Sequence, residues 1–178
     1  MSLQSLVITT MLPVYIPLQL IDKSRNGIEI PITWQIPTII VLTLIFHKKV
    51  VIRAFSIYLI LGLFIAPVFH QGGSIGYLLT PNFGYLLGVY PLIKIIDNLN
   101  IRNKINVVSF LINGFKAIVT MHLTGISYNF IQTIFYGKFN IFLYNLGKYS
   151  AGKIGYHFLI LLPILILIKP IKLFKNSK

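Results

Sequence analysis

Side chains that commonly carry catalysis are few in this chain, and they are scattered. Its carboxylates are Asp22, Glu29 and Asp97, and all lie in polar links between apolar stretches. No carboxylate pair is therefore placed for general acid–base work. The histidines lie on different segments: His47, His70, His122 and His157. They lack HExxH spacing, and no phosphate loop ending in Gly-Lys-Ser/Thr is present, so we predict no enzyme, no metal site and no cofactor.

Binding is the chemistry that the sequence does favour, at the stretch HQGGSIG, residues 70–76. Its glycines allow the backbone to turn tightly and to approach a ligand closely. Pro67 and Pro81 lie on either side, and each removes a backbone N–H donor from any helix. A plain turn between helices is the alternative explanation. We predict a binding loop here because a simple turn does not require both prolines and the glycines together.

The composition indicates that this loop lies in a membrane protein. Hydrophobic residues make up 56% of the chain, charged residues 11%, and the mean hydropathy is +0.81. A soluble domain carries about 25% charged residues. The net charge of +13 comes from short basic clusters between apolar stretches rather than from one basic patch, so we predict no nucleic-acid partner. Residues 1–178 are predicted to form a single membrane domain.

The apolar stretches predict an all-α integral membrane protein, with about six transmembrane helices at about 20 residues each. The first is expected to be a retained helix, because no basic region precedes it. Residues 136–153 are expected to form a loop or an interfacial helix. The predicted spans are residues 1–21, 31–46, 51–69, 78–96, one within 107–135, and 154–168.

The distribution of Lys and Arg predicts the orientation, since basic residues are enriched in cytoplasmic loops. With six spans, both termini and the more basic links fall on one side. That side carries Lys48, Lys49, Arg53, Lys94, Arg102, Lys104, Lys169, Lys172, Lys175 and Lys178. The opposite side carries Lys23, Arg25, Lys138, Lys148 and Lys153. We therefore predict cytoplasmic termini and an extracytoplasmic loop at residues 70–76.

Two patches resemble the BioY family, the biotin-binding S components of energy-coupling-factor transporters. The first is PVF followed by glycines, a small polar residue, a proline and GYLLG, within residues 67–88. The second is PITWQ, residues 31–35, which resembles a PxTxQ pattern that opens the second helix of the family. The resemblance implies a subunit of the bacterial plasma membrane that captures biotin outside. It also implies an energy-coupling membrane partner and separate ATPases.

The resemblance also implies binding residues. Gln35, Tyr58 and Tyr85 match residues of the family, and Gly72 and Gly73 precede the position of a polar ring contact. Ser74 occupies that position and is shorter than the family's frequent Asn, so we expect His70 or Gln71 to supply the missing hydrogen bond. Each of these residues has a purely structural alternative, such as packing, helix capping or interhelical hydrogen bonding.

A carboxylate ligand requires a cation, and two lysines are candidates. Lys116 lies well inside a predicted span, where ionisable groups are costly and usually functional. Snorkelling to the membrane edge is its alternative role. Lys169 is a loose match to the lysine of a PGDxxK-like motif in the last helix of the family, whose Asp has no counterpart here. Another small vitamin or precursor, or a non-transporting assembly subunit, therefore remains an alternative function.

Overall fold

The computed structural model describes residues 2–16, 28–70, 72–99, 107–137 and 139–176. Within these ranges it describes the backbone but not the side chains of residues 2, 15, 16, 28–30 and 169–176. The described chain is mostly helical, as the sequence predicts. One two-stranded sheet accompanies the helices.

The N-terminal region departs from the prediction of one long helix. Helix α1, Ser2–Met11, is followed by strand β1, Pro13–Ile16, which pairs antiparallel with β2, Ile28–Thr33. Pro13 cannot donate the next helical hydrogen bond, and β-branched and aromatic residues follow it, which suits a strand. The helix predicted over residues 1–21 is therefore wrong at residues 12–16, and residues 17–21 lie outside the described part of the chain. The helix predicted from residue 31 is likewise wrong in its first turn, because residues 31–33 belong to β2.

Helices α2, Gln35–Ile45, and α3, Lys48–Phe64, follow the hairpin. The backbone N–H of Trp34 donates to the Leu12 carbonyl at 3.0 Å, which fixes the hairpin against the start of α2. His47 caps α3, because its Nδ1 accepts a hydrogen bond from the Lys49 N–H. With 11 residues, α2 is shorter than the roughly 20 that cross a bilayer.

The glycine-rich stretch forms a tight turn between α3 and α4. Phe69 and Gly72 exchange both backbone hydrogen bonds, at 2.9 and 3.0 Å, and Gly72 has a φ of +119° that favours glycine. We call residues 72–76 the glycine segment. A 3₁₀ turn, Ile75–Leu79, leads into α4, Pro81–Leu87, and α5, Val89–Asp97. Pro81 occupies the first turn of α4, where its missing N–H costs nothing.

The C-terminal half is almost continuously helical. Helix α6, Val107–Tyr136, precedes α7, Phe139–Leu146, a π-helical turn at Gly147–Ala151, α8, Gly152–Leu159, and α9, Leu161–Asn176. Within residues 139–153 the structure is therefore helical rather than a loop. The glycines that suggested a loop are tolerated there, and the π turn continues the helix from α7 into α8.

Helix α6 packs against α4 through two glycine–tyrosine contacts, and each helix provides one glycine and one tyrosine. A Cβ added to Gly84 of α4 would meet the Tyr128 ring of α6, and one added to Gly125 of α6 would meet the Tyr85 ring of α4. Small residues allow helix backbones to approach closely, a common device in membranes. This contact explains the first glycine and the tyrosine of the GYLLG stretch as packing residues.

Two helical stretches, Val107–Tyr136 and Phe139–Ile168, are long and apolar enough to cross a membrane, judged by length and composition. Large apolar side chains also face outward from the fold, among them Ile65, Phe135 and Ile166 at 72%, 82% and 70% exposure. Exposed apolar surface of this extent is typical of a lipid or protein contact. Six spans and cytoplasmic termini stay predictions.

Candidate ligand-binding site

A cavity of about 350 Å³ lies between the β hairpin, the start of α2, α4, the middle of α6 and the π turn with α8. Small-molecule pockets are typically about 300–1,000 Å³. Its apolar lining comes from Pro13, Pro31, Ile32, Ile36, Leu86 and Met121. Its polar lining comes from Thr33, Gln35, His70, Tyr77, Asn82, Tyr85, His122, Lys148, Tyr149, Lys153 and His157.

Gln35 is the side chain in this lining with an unmet hydrogen-bonding need. It is the first residue of α2 and is only 8% exposed. Its Nε2 is buried and makes no hydrogen bond of normal geometry among the described residues, and the Gln35 side chain interacts only weakly with the Tyr58 hydroxyl. A buried amide without a partner costs about 1–3 kcal/mol. An acceptor atom on a ligand in the cavity would remove that cost.

Four side chains from α4, α6, the π turn and α8 form a continuous hydrogen-bonded chain beside the cavity. The Tyr85 hydroxyl lies 2.6 Å from the Ser150 Oγ, which lies 3.2 Å from the His122 Nδ1. The His122 Nε2 lies 3.1 Å from the Nδ1 of His157. Ser150, His122 and His157 are buried. The chain thus fixes the rings of Tyr85, His122 and His157 at the cavity surface.

Two lysines from the C-terminal half also line the cavity. The Nζ of Lys148 lies 5.2 Å, and that of Lys153 lies 5.5 Å, from the centre of the Tyr149 ring. Ammonium groups within about 6 Å of an aromatic face are held by cation–π attraction. Lys153 and His157 lie four residues apart on α8 and so share a face. We call Lys148, Tyr149, Lys153 and His157 the C-terminal wall.

The loop side of the cavity is formed by Tyr77 and His70. Tyr77 lies in the 3₁₀ turn, is 8% exposed, and its hydroxyl donates to the His70 carbonyl at 3.4 Å. Burial raises the pKa of Tyr77 above its ordinary value, so the phenol stays protonated and remains a donor. The Phe69 and Tyr77 rings lie 4.6 Å apart, which fixes the turn against the aromatic core.

The structure brings three of the predicted site residues to the cavity, namely Gln35, His70 and Tyr85. Tyr58 is fully buried in the core and does not line the cavity. Its hydroxyl accepts a hydrogen bond from Thr10 at 3.2 Å. This hydrogen bond joins α3 to α1, and the binding role of Tyr58 stays a prediction.

The glycine segment does not line the cavity either, although Gly72, Gly73 and Ser74 were predicted to meet the ligand. A Cβ added to Gly73 would lie 2.7 Å from the Gly62 carbonyl oxygen and from the Pro67 Cα. Its backbone is therefore packed against protein. Ser74 has a φ of +110° and an exposed side chain, and its N–H donates to the Gly62 carbonyl.

Of the two predicted cations, only the side chain of Lys116 can be placed relative to the cavity. Lys116 of α6 has an exposed side chain and does not line it. Lys169 belongs to α9, but its side chain lies outside the described part of the chain, and Gln71 lies outside the described residues altogether. Lys148 and Lys153 take the predicted place of a cavity cation.

Sequence reasoning named no residue of the C-terminal wall as a ligand contact, and it also missed Tyr77 and Asn82. A signal for the wall was present in the spacing of Tyr149, Lys153 and His157, since residues four apart share one face of a helix. Residues 136–153 were predicted only as a loop or an interfacial helix, so this spacing was not interpreted as a helix face. The contacts of Tyr77 depend on the fold, and no sequence pattern predicts them.

Comparison with known proteins agrees with this architecture. A sequence model described as the BioY family matches residues 4–163. Among solved structures, the S-component for biotin from an ECF-type ABC transporter is similar at a TM-score of 0.53 and 19% identity. The similarity covers 94% of this chain and 87% of that one, which shows a shared fold. No curated protein sequence matches.

Proposed function

Because the chain belongs to the BioY family, we propose that it captures biotin in the cavity beside Gln35 and supports its uptake through the membrane. The resemblance predicted from two sequence patches is thereby confirmed over most of the chain. Membership makes the chain a membrane transport component rather than an enzyme. We further propose which residues hold the ligand and which kind of partner drives transport.

The unpaired Nε2 of Gln35 is the observation that carries this proposal. It lies in the wall of the cavity, buried and without a hydrogen bond of normal geometry among the described residues. The oxygen of a cyclic urea such as that of biotin is an acceptor that matches this donor. Placement of a few polar groups in an otherwise apolar pocket is the usual basis of orientation and specificity.

The remaining lining fits the rest of the ligand. Ile32, Ile36, Leu86 and Met121 provide an apolar surface for the ring and the aliphatic tail. Burying that surface contributes about 25 cal/mol per Å². Binding in this scheme makes and breaks no covalent bond, so affinity depends on apolar burial and on the polar groups that the cavity presents.

Release into the cell then requires a change that opens or reorients the cavity. We propose that an energy-coupling membrane subunit with separate ATPases provides it, since no ATP-binding loop exists in this sequence. The basic-residue bias supports an extracytoplasmic cavity entrance. Cysteine labelling tests this orientation, because the chain contains no native cysteine. A cysteine at the exposed Ile75 should react with an impermeant thiol reagent in intact cells, and protection there would contradict it.

Binding of radiolabelled biotin to the purified chain in detergent tests the function. We expect saturable binding that unlabelled biotin displaces. A chain that folds but binds no biotin would overturn the proposal.

A second ligand class has a specific observation in its favour. No carboxylate lies among the side chains that line the cavity in the described part of the chain, whereas the BioY pattern places an Asp in the last helix. A precursor or related vitamin with more acceptors than biotin would suit this lining. Displacement of the label by a vitamin panel distinguishes it from biotin.

A further inference from the structure

We propose that Lys153 is the counter-ion for the carboxylate of the ligand, with Lys148 as a second cation toward solvent. This inference rests on the proposed function, because it assigns one end of the biotin site. It replaces the predicted cations Lys116 and Lys169 with two residues of the C-terminal wall.

The charge balance of the cavity supports an anionic ligand. Lys148 and Lys153 line it, while the described part of the lining includes no Asp or Glu. The described ion pair in the chain, between Lys48 and Asp97 at 3.1 Å, involves neither lysine. A buried or partly buried charge without a partner is costly, so an anion from outside would stabilise this wall.

The geometry around Tyr149 supports a shared anion. Both ammonium groups lie within 5.5 Å of the centre of one tyrosine ring. The two like charges repel each other, and a carboxylate near both would add two attractive interactions that offset this repulsion. Contact with the same aromatic ring also limits where the two ammonium groups can go, which reduces the entropic cost of binding.

The two lysines differ in burial, so they should act at different stages. Lys148 is exposed and Lys153 is half-buried. Charges at the rim of a site mainly change the association rate and its salt dependence, whereas buried charges mainly change dissociation. We therefore assign capture of the anion to Lys148 and retention to Lys153.

Biotin and biotin amide, which lacks the carboxylate, provide the test with the purified chain in detergent. Lys153→Met keeps the apolar stem and removes the charge. We expect it to weaken biotin by about 30-fold or more, the range for truncating one partner of a buried charge pair. It should leave the amide unchanged, and Lys153→Arg should restore most of the affinity for biotin.

Lys116→Met is the matched control, because that lysine is exposed and lies away from the cavity. It should bind both ligands as the wild type does. Lys148→Met should slow biotin association and reduce its salt dependence, with a smaller effect on dissociation. Equal loss of biotin and amide in Lys153→Met, or no loss of either, would overturn the proposal.

A wild-type chain that binds neither ligand would refute the biotin function, and the anion site would then be tested separately. Thermal stabilisation by hexanoate, with hexanamide as the neutral control, uses the same cavity without the ring. Stabilisation of the wild type by hexanoate alone, lost in Lys153→Met, would support the anion site. Equal responses of the two proteins would refute it.

Discussion

The glycine segment and the C-terminal wall differ in how closely their backbones are packed. Gly73 of the segment has protein backbone atoms 2.7 Å from where a Cβ would lie. Gly155, between Lys153 and His157 on α8, has nothing within 4 Å of that position. The first glycine is needed for close packing, whereas the second leaves space. A run of glycines in this chain therefore marks a tight turn, and the cavity chemistry lies in a less conspicuous helix.

The largest effect is expected from crowding the glycine segment. Gly73→Ala places a methyl group against the Gly62 carbonyl and the Pro67 backbone. Overpacking of this kind costs about 1–3 kcal/mol, and Gly73→Val should cost more. The measurement is the free energy of unfolding in detergent.

Gly76→Ala is the control for this substitution, because the nearest atom to its added Cβ is the Ser74 Oγ at 3.5 Å. It should leave stability close to wild type. If Gly73→Ala were stable but failed to bind biotin, the glycine segment would be a ligand contact after all, and the contrast with the C-terminal wall would disappear.

A smaller effect is expected at Gln35, and it tests whether the C-terminal wall acts alone. Gln35→Leu removes the donor offered to the ligand, and we expect biotin to weaken about tenfold, since one such hydrogen bond contributes about 0.5–1.5 kcal/mol. The empty protein should become slightly more stable, because an unpaired buried amide is lost. Calorimetry measures the loss of biotin affinity, and unfolding measures the gain in stability of the empty protein. Unchanged affinity would leave recognition to the C-terminal wall.

The smallest effect is expected at Gly155, and it has the opposite sign to that at Gly73. Glycine within a helix is less stable than alanine by roughly 0.5–1 kcal/mol, and Gly155→Ala meets no neighbouring atom. We expect a modest gain in unfolding free energy and unchanged biotin affinity. A loss of stability would show that α8 is packed as tightly as the glycine segment.

The membrane class and the family could be predicted from sequence because both depend on composition and on local patterns. Gln35 and Tyr85 were found for the same reason, since they lie inside the recognisable patches. The β hairpin was missed because apolar residues such as Val14 and Ile32 suit a strand as well as a helix. Lys153 was missed because its value as a cavity cation depends on its burial beside Tyr149, which only the packing of α8 determines.

Tyr58 shows that a match in residue type and position does not by itself establish a binding role. Its type and position matched a binding residue, yet the ring is buried in the core and its hydroxyl is bonded to Thr10. A tyrosine has the same apolar ring and polar hydroxyl whether it packs against protein or ligand. Sequence identity at this position therefore predicts burial, and a binding role for Tyr58 stays a prediction.

In the hydrogen-bonded chain from Tyr85 to His157, the direction in which each group donates can reverse without moving a heavy atom. In one order the Tyr85 hydroxyl donates to Ser150, Ser150 to His122, and His122 to His157, which leaves the His157 hydrogen on Nε2. In the other order every hydrogen shifts, and the same nitrogen becomes an acceptor. Both imidazoles stay neutral throughout. One rigid cavity surface can thus match a ligand atom of either kind, and ¹⁵N chemical shifts of the two rings would report which order a bound ligand selects.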